Sequence, residues 1–410
     1  MGQRRSGMAI ALVAVAAMSL ASCSGSGDGG SKEQSITVRV YPTMGDDEKA
    51  FWDQQVAAFR KDHPNIQVKV DIQPWKDRGR ALTASIAGGT APDVVYMIPD
   101  ELSQFQAQNV VEPLDGIVSA EGYRKNALDA VTIDGKLYGA PVLMSVIPGA
   151  CDQKVLDAVG VEAPPTTWDE LKALGPKFKE KGYYATTFVA SNDTTLNTTF
   201  YPWMWQAGGA PFDASGAPTF NSPAAKKALS FMVDLVKDGY VPKDEVSLNL
   251  PAEQTVIGSR KVGCIYHLDP VIVKDYWGDD VVVAPVLKDV ASRAYGTVGS
   301  YTLLKSSKNK EAAAAWINYI TSPTAMGALD TKAGYLPPKE AVPVTYAEDS
   351  IEARTGEYLD LADVGPRAPE ARELQSVIAP ELQAAVLGDK TVDDALAAAQ
   401  QAAVAKMKRG

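Results

Sequence analysis

The side chains best suited by type and spacing to hold a small molecule lie just past apolar runs. Tyr41, Asp46 and Asp47 follow or close residues 36–41 (ITVRVY), Asp100 and Glu101 follow 93–97 (DVVYM), and His267 and Asp269 follow 261–266 (KVGCIY). Carboxylates and carboxamides accept or donate hydroxyl hydrogen bonds, and aromatic faces pack on the C–H face of a sugar ring. Ser145, the Asn192 and Asn197 pair in 191–199 (SNDTTLNTT), and Gly299-Ser300 and Tyr335 in Gly-containing segments extend the polar set. Trp203, Trp277 and Trp75 are the candidate stacking rings. Each position also has a structural role open to it: turn and helix-cap chemistry for Asp46 and Asp47, a core face for Trp203 beside Tyr201 and Trp205, a helix-carboxylate partner for Arg367. Carboxylates outnumber the one Arg in this set, which disfavours an anionic ligand and favours neutral polyols, with a cationic solute as the alternative.

Enzymatic chemistry has little to work with. There are two histidines in 410 residues, His63 in a helix-ending turn and His267, and no HExxH, GxSxG, CxxC or P-loop pattern. His63, His267, Cys151 and Cys264 lack the local spacing of a metal site, so neither metal nor cofactor is expected. The net charge of −10 argues against nucleic acid, whose phosphates it would repel.

Alternating and helical periods say what positions these residues. Strand at 36–41, helix at 46–61, strand at 66–72, helix at 77–87 and strand at 93–97 predict parallel βαβ units, whose ligands gather beyond the carboxyl ends of the strands. Asp134-Gly135-Lys136 predicts a hairpin turn. Further helices are expected at 167–181, opened by a Thr167/Glu170 capping box, and at 197–207, 222–237, 311–320 and beyond Pro369. Trp277 is expected at a strand-to-loop transition.

The start of the chain reads as an export leader. Arg4-Arg5, the short apolar run 8–20 and Leu20-Ala21-Ser22-Cys23 give a basic start, a core too short to span a bilayer and small residues before a cleavage point. The tetrad resembles a bacterial lipobox, which makes 1–22 the signal peptide and Cys23 the lipidated first residue; ordinary cleavage nearby is the alternative. Residues 24–35 (SGSGDGGSKEQS) form a flexible tether that extends to about 40 Å. Lipid is then the one membrane contact, on the outer face of the cell membrane. Cys151 and Cys264 remain, either bridged or packed as small hydrophobes.

Segments along the whole mature chain resemble the family 1 extracellular solute-binding proteins of ABC importers, the maltose-binding-protein-like group. They include FWDQQVAAFRKDHPNIQVKV at 51–70, ASIAGGTAPDVVYM at 84–97, GKLYGAP at 135–141, PPTTWDEL at 164–171, WQAGG at 205–209, AAAWINYITS at 313–322, GYLP at 334–337 and GDKTVDDALAA at 388–398. The resemblance implies an α/β, two-lobed periplasmic-binding-protein-like fold with a ligand cleft between lobes joined by crossover strands. The first lobe would hold 36–143 plus 291–340, the second 144–290 plus 341–410. It implies a monomeric receptor that hands a neutral di- or oligosaccharide to permease subunits. A polyamine or glycerol phosphodiester receptor, or a surface adhesin or chaperone, is the alternative. Two departures stand out: Gly149-Ala150-Cys151-Asp152 replaces a usual Tyr-Asn pair, and Gly263-Cys264 with His267, Asp269 and Pro270 replaces the usual aromatic platform.

Overall fold

Period-two runs rich in β-branched residues form β1 (Gln34–Val40) and β2 (Ile66–Ile72), and a continuously apolar run, buried at every position, forms β3 (Val94–Met97). The computed structural model describes residues 33–191 and 195–408; the leader, Cys23, tether residues 24–32 and Asn192 lie outside them, while Gln34 and Ser35, expected in the tether, already pair with β2 as the start of β1. Helices Glu48–Asp62 and Arg78–Ala87 cross between these strands, and β1 pairs in parallel with both β2 and β3. A two-residue turn joins β4 (Thr132–Ile133) to β5 (Lys136–Leu137). Asp134 and Gly135 both take positive φ there, 50° and 74°, the backbone that a tight hairpin demands.

The remaining strands are β6 (Ala140–Val146), β7 (Gly149–Asp152), β8 (Tyr184–Thr187), β9 (Val262–Ile265), β10 (Val281–Ala284), β11 (Ala294–Leu303) and β12 (Ala362–Asp363). One sheet runs β12-β11-β3-β1-β2 with β6 added on β11, and a second runs β10-β7-β9-β8. Each sheet has its own core. Ile36, Val38, Phe59, Val94, Leu102 and Trp316 belong to the first; Leu171, Phe178, Leu229, Leu374 and Leu396 belong to the second. The chain is therefore a two-lobed α/β protein, with β6 and β11 running antiparallel at the passage between lobes. Met144 and Val146 at the end of β6, and Val342, Leu359 and Ala362 farther on, pack into the first core.

Cys151 and Cys264 face each other across the antiparallel β7–β9 pair and are joined by a disulfide. Next to the bridge, Asp152 is fully buried and receives two bonds from Arg260, at 2.8 and 2.6 Å, and a capping bond from the Lys154 amide.

Two segments differ from the sequence expectation. The helix expected at 197–207 spans only Tyr201–Gln206, because Thr198 and Thr199 hydroxyls bond the Thr195 carbonyl and hold the preceding residues in a turn. Trp277 closes a helix, Pro270–Trp277, instead of following a strand; Asp269 caps that helix and Pro270 occupies its first position.

Candidate functional site

The carboxyl ends of β1 and β3 bring three aromatic rings together. Tyr41 tilts against Trp75 with centroids 5.2 Å apart, and Tyr96 meets both edge-on, at 6.3 Å from Tyr41 and 5.9 Å from Trp75. Trp75 is tied to the loop after β1 by its indole N–H, which donates to the Pro42 carbonyl at 2.6 Å. Glu48 holds the same loop from below, accepting from the Thr43 and Met44 amides and the Trp52 indole. Gly299 on β11 makes room for Tyr96: a Cβ there would lie 2.1 Å from the Tyr96 hydroxyl.

One cation lies against this wall. The Arg78 guanidinium sits 4.7 Å from the Trp75 ring centroid and pairs through Nε with Glu101 at 2.7 Å, both side chains nearly sealed from solvent. Burial, and then the Glu101 carboxylate, push the Tyr41 phenol up to about 12. Tyr96 is also raised well above its usual value, by burial and then by the nearby Tyr335. Asp100 caps no helix but sits in the first turn of Pro99–Ala107, where its carboxylate accepts from the Glu101 amide.

The second lobe reaches this wall through Asp269. Its carboxylate accepts from the Val271 amide at 2.9 Å and burial raises its pKa; Tyr335 is raised by its own burial and then by the Asp269 charge. Ser145, Asp269, Gly334 and Glu352 line one small cavity at the junction. Tyr41, Glu101, Asp100, Ser145, Asp269 and Tyr335 are thus drawn into one region running from β1 to the junction of the lobes.

Other candidates lie elsewhere or are occupied. Asp46 and Asp47 are exposed, and Asp47 is paired with Lys332. Trp203 is buried among Trp168, Phe188, Phe231 and Tyr266. Trp277 is buried with its indole N–H on the Ile257 carbonyl, so its faces belong to the core. Ser300 is buried and donates to the Met97 carbonyl. Asn197 packs against Gly365, where a Cβ would lie 2.6 Å from its Oδ1. His267 lines a 220 Å³ cavity inside the second lobe. Arg367 donates to the Asp129 and Thr132 carbonyls rather than to a helix carboxylate. A separate 610 Å³ crevice between the lobes carries Asp129, Trp205, Arg293 and Asp363. Arg78 and Tyr96 are wall residues that sequence reasoning missed; the one available signal was Arg78 three residues after Trp75. Among the described residues no cluster of three His, Cys, Asp or Glu gathers to hold a metal.

The profile of the bacterial extracellular solute-binding proteins matches residues 45–327. The chain belongs to that family. As an extracellular solute-binding protein it is a binder, not an enzyme. A binding protein of Brucella abortus is 25% identical over 371 residues, covering 88% of this chain and 90% of the relative. Among solved structures, the sugar-binding protein MalE from Xanthomonas citri aligns with a TM-score of 0.80 at 19% identity, over 91% of this chain and 98% of that one. The cyclic alpha-maltosyl-1,6-maltose binding protein from Arthrobacter globiformis aligns with a TM-score of 0.79 at 23% identity, over 92% and 99%. At these identities the two structures share the two-lobed fold with this solute-binding protein.

Proposed function

We propose that this solute-binding protein is a receptor for a neutral carbohydrate, a di- or oligosaccharide, which it delivers to the permease of an ABC importer. The observation that carries the reading is the cluster of Tyr41, Trp75 and Tyr96 at the carboxyl ends of β1 and β3, with Asp269 of the other lobe beside Tyr335. Aromatic rings interleaved with carboxylates suit the alternating C–H and hydroxyl faces of a sugar. The wall's cation, Arg78, is engaged by Glu101, which leaves little to neutralise a phosphate or carboxylate ligand. Both structural relatives named above are sugar-binding proteins, in keeping with this reading.

Closure of the lobes about β6 and β11 would trap the sugar, because a ligand touching both walls binds the closed state more tightly. Lipidation of Cys23 and the tether that leads from it to β1 would keep the receptor, acting as a monomer, at the outer face of the membrane. Isothermal titration of the mature protein tests the reading. Neutral oligosaccharides should bind, and Trp75→Ala should weaken them at least tenfold. Heat only from spermidine or glycerophosphocholine would refute it; Asp269 beside Glu352 is where a cationic solute would settle.

A further inference from the structure

The charge on the aromatic wall comes as a matched pair. Arg78 opens the helix Arg78–Ala87, in the stretch that follows β2, and Glu101 lies in the first turn of Pro99–Ala107, just after β3. The two meet across these segments, with Arg78 Nε 2.7 Å from a Glu101 carboxylate oxygen. The same guanidinium lies 4.7 Å from the Trp75 ring centroid and 5.8 Å from that of Tyr41, so the pair stands against the rings that a sugar would use.

Its two members act on the rings in opposite directions. After burial, Glu101 pushes the Tyr41 phenol up, while Arg39 and then Arg78 draw it down. At Tyr96, after burial and the neighbouring Tyr335 and Tyr301, Arg78 draws the phenol down and Glu101 pushes it up. Arg39 is itself paired with Asp71 at 2.9 Å. The Arg78 side chain is 13% exposed and that of Glu101 6%, which leaves the pair open enough to be felt by a ligand on the wall and too enclosed for salt to screen it well. A sugar unit over Trp75 therefore meets a guanidinium whose charge is already cancelled. A carboxylate on that unit would have to compete with Glu101 for Arg78, and an ammonium with Arg78 for Glu101. Discrimination of this kind works by penalising the wrong partner.

We propose that Arg78 and Glu101 set the charge selectivity of this receptor: each cancels the other, so the unit lying on Trp75 must be an uncharged sugar, and removing one of them turns the wall toward a sugar charged oppositely to the one that remains. The proposal rests on the carbohydrate reading above and adds to it which residues hold the receptor to neutral sugars. At the effective dielectric of about 20 that applies near a protein surface, an unpaired charge within about 8 Å of a ligand charge is enough to move affinity tenfold or more.

The test uses the mature protein and calorimetry. The neutral hexose oligosaccharide that binds best among linear malto-, cello- and manno-oligosaccharides is compared with two matched forms, one oxidised to the carboxylate at C6 and one carrying a 6-amino-6-deoxy group. The parent should bind each charged form at least tenfold more weakly than the neutral one. In Glu101→Gln the affinity for the carboxylate form relative to the neutral form should rise at least tenfold. In Arg78→Gln the relative affinity for the amino form should rise as much, and the double variant, with neither charge, should return both ratios toward those of the parent. Breaking a shielded ion pair also costs stability, but ratios taken within one variant are blind to a general loss, and opposite shifts in the two single variants are not what a merely structural pair would give. Thermal melting shows which variants are folded at the assay temperature, and either single variant suffices for the test. Ratios that stay within threefold of the parent's in a folded single variant, or a parent that takes a charged form as tightly as the neutral one, overturn the role of the pair and leave the sugar reading standing. No binding of any sugar form to the folded parent overturns both.

Discussion

Lowering the pH from 7.5 to 4.5 should cost this protein stability through His267, and the size of that cost follows from its surroundings. Burial holds the imidazole neutral and depresses its pKa from 6.5 to about 4, against a smaller upward pull from the Thr187 backbone bond. The unfolded chain takes up a proton below 6.5 that the folded chain refuses until about 4. Stability is therefore lost as pH falls from 6.5 toward 4 and the loss levels off below. Between 7.5 and 4.5 the linkage relation gives about 2.5 kcal/mol for a shift of that size. The half-buried Asp269 and the buried Asp330 work the other way, because their raised pKa values favour the acid form in the folded state. The comparison must then be with His267→Gln, which keeps those carboxyls and removes the imidazole. Urea unfolding of both proteins at the two pH values isolates the term. The parent should lose about 2–3 kcal/mol more than the variant on acidification; parallel losses would show that His267 titrates normally and is not sealed.

Three further outcomes follow from buried contacts. Arg260→Ala leaves the fully buried Asp152 carboxylate without its charged partner and should cost about 3–5 kcal/mol in urea unfolding, whereas a loss under 1 kcal/mol would show that the carboxylate finds water. Joint replacement of Cys151 and Cys264 by Ala opens a 113-residue crosslink and should lower stability by up to about 5 kcal/mol on chain entropy; an unchanged unfolding midpoint would mean the bridge constrains little. Gly299→Ala drives a methyl into the Tyr96 ring and should cost about 1–3 kcal/mol while weakening sugar binding; a Gly299→Ala protein as stable and as tight as the parent would contradict the packing.

The first lobe was legible because its strands alternate and its helices carry their own stop signals. ITVRVY and IQVKVDI can bury one face each only as strands, and His63 ends the first helix as its C-cap. The bridge between Cys151 and Cys264 was left open because two short apolar runs 113 residues apart do not reveal which strands lie side by side; β7 and β9 had to be paired first. Trp203 and Trp277 illustrate a different limit. An aromatic side chain near a strand end serves core and cleft equally well by type, and only packing shows that Trp277 is turned inward onto Ile257. Arg78 was missed because its meaning lies in Glu101, 23 residues later on another element, a pairing that no local pattern carries. Ser300 looked available from its Gly neighbour, yet Gly299 serves the Tyr96 ring and the Ser300 hydroxyl is already spent on Met97.

Of the seven tryptophans Trp75 alone is not buried, which makes its emission a reporter of the aromatic wall. The most direct test of carbohydrate binding at that wall is a fluorescence titration of the mature protein with neutral oligosaccharides, spermidine and glycerophosphocholine, repeated on Trp75→Phe. The account predicts a saturable change with a neutral sugar that is lost or much reduced in Trp75→Phe. A saturable change with the charged solutes alone, or a sugar response that survives intact in Trp75→Phe, would contradict it.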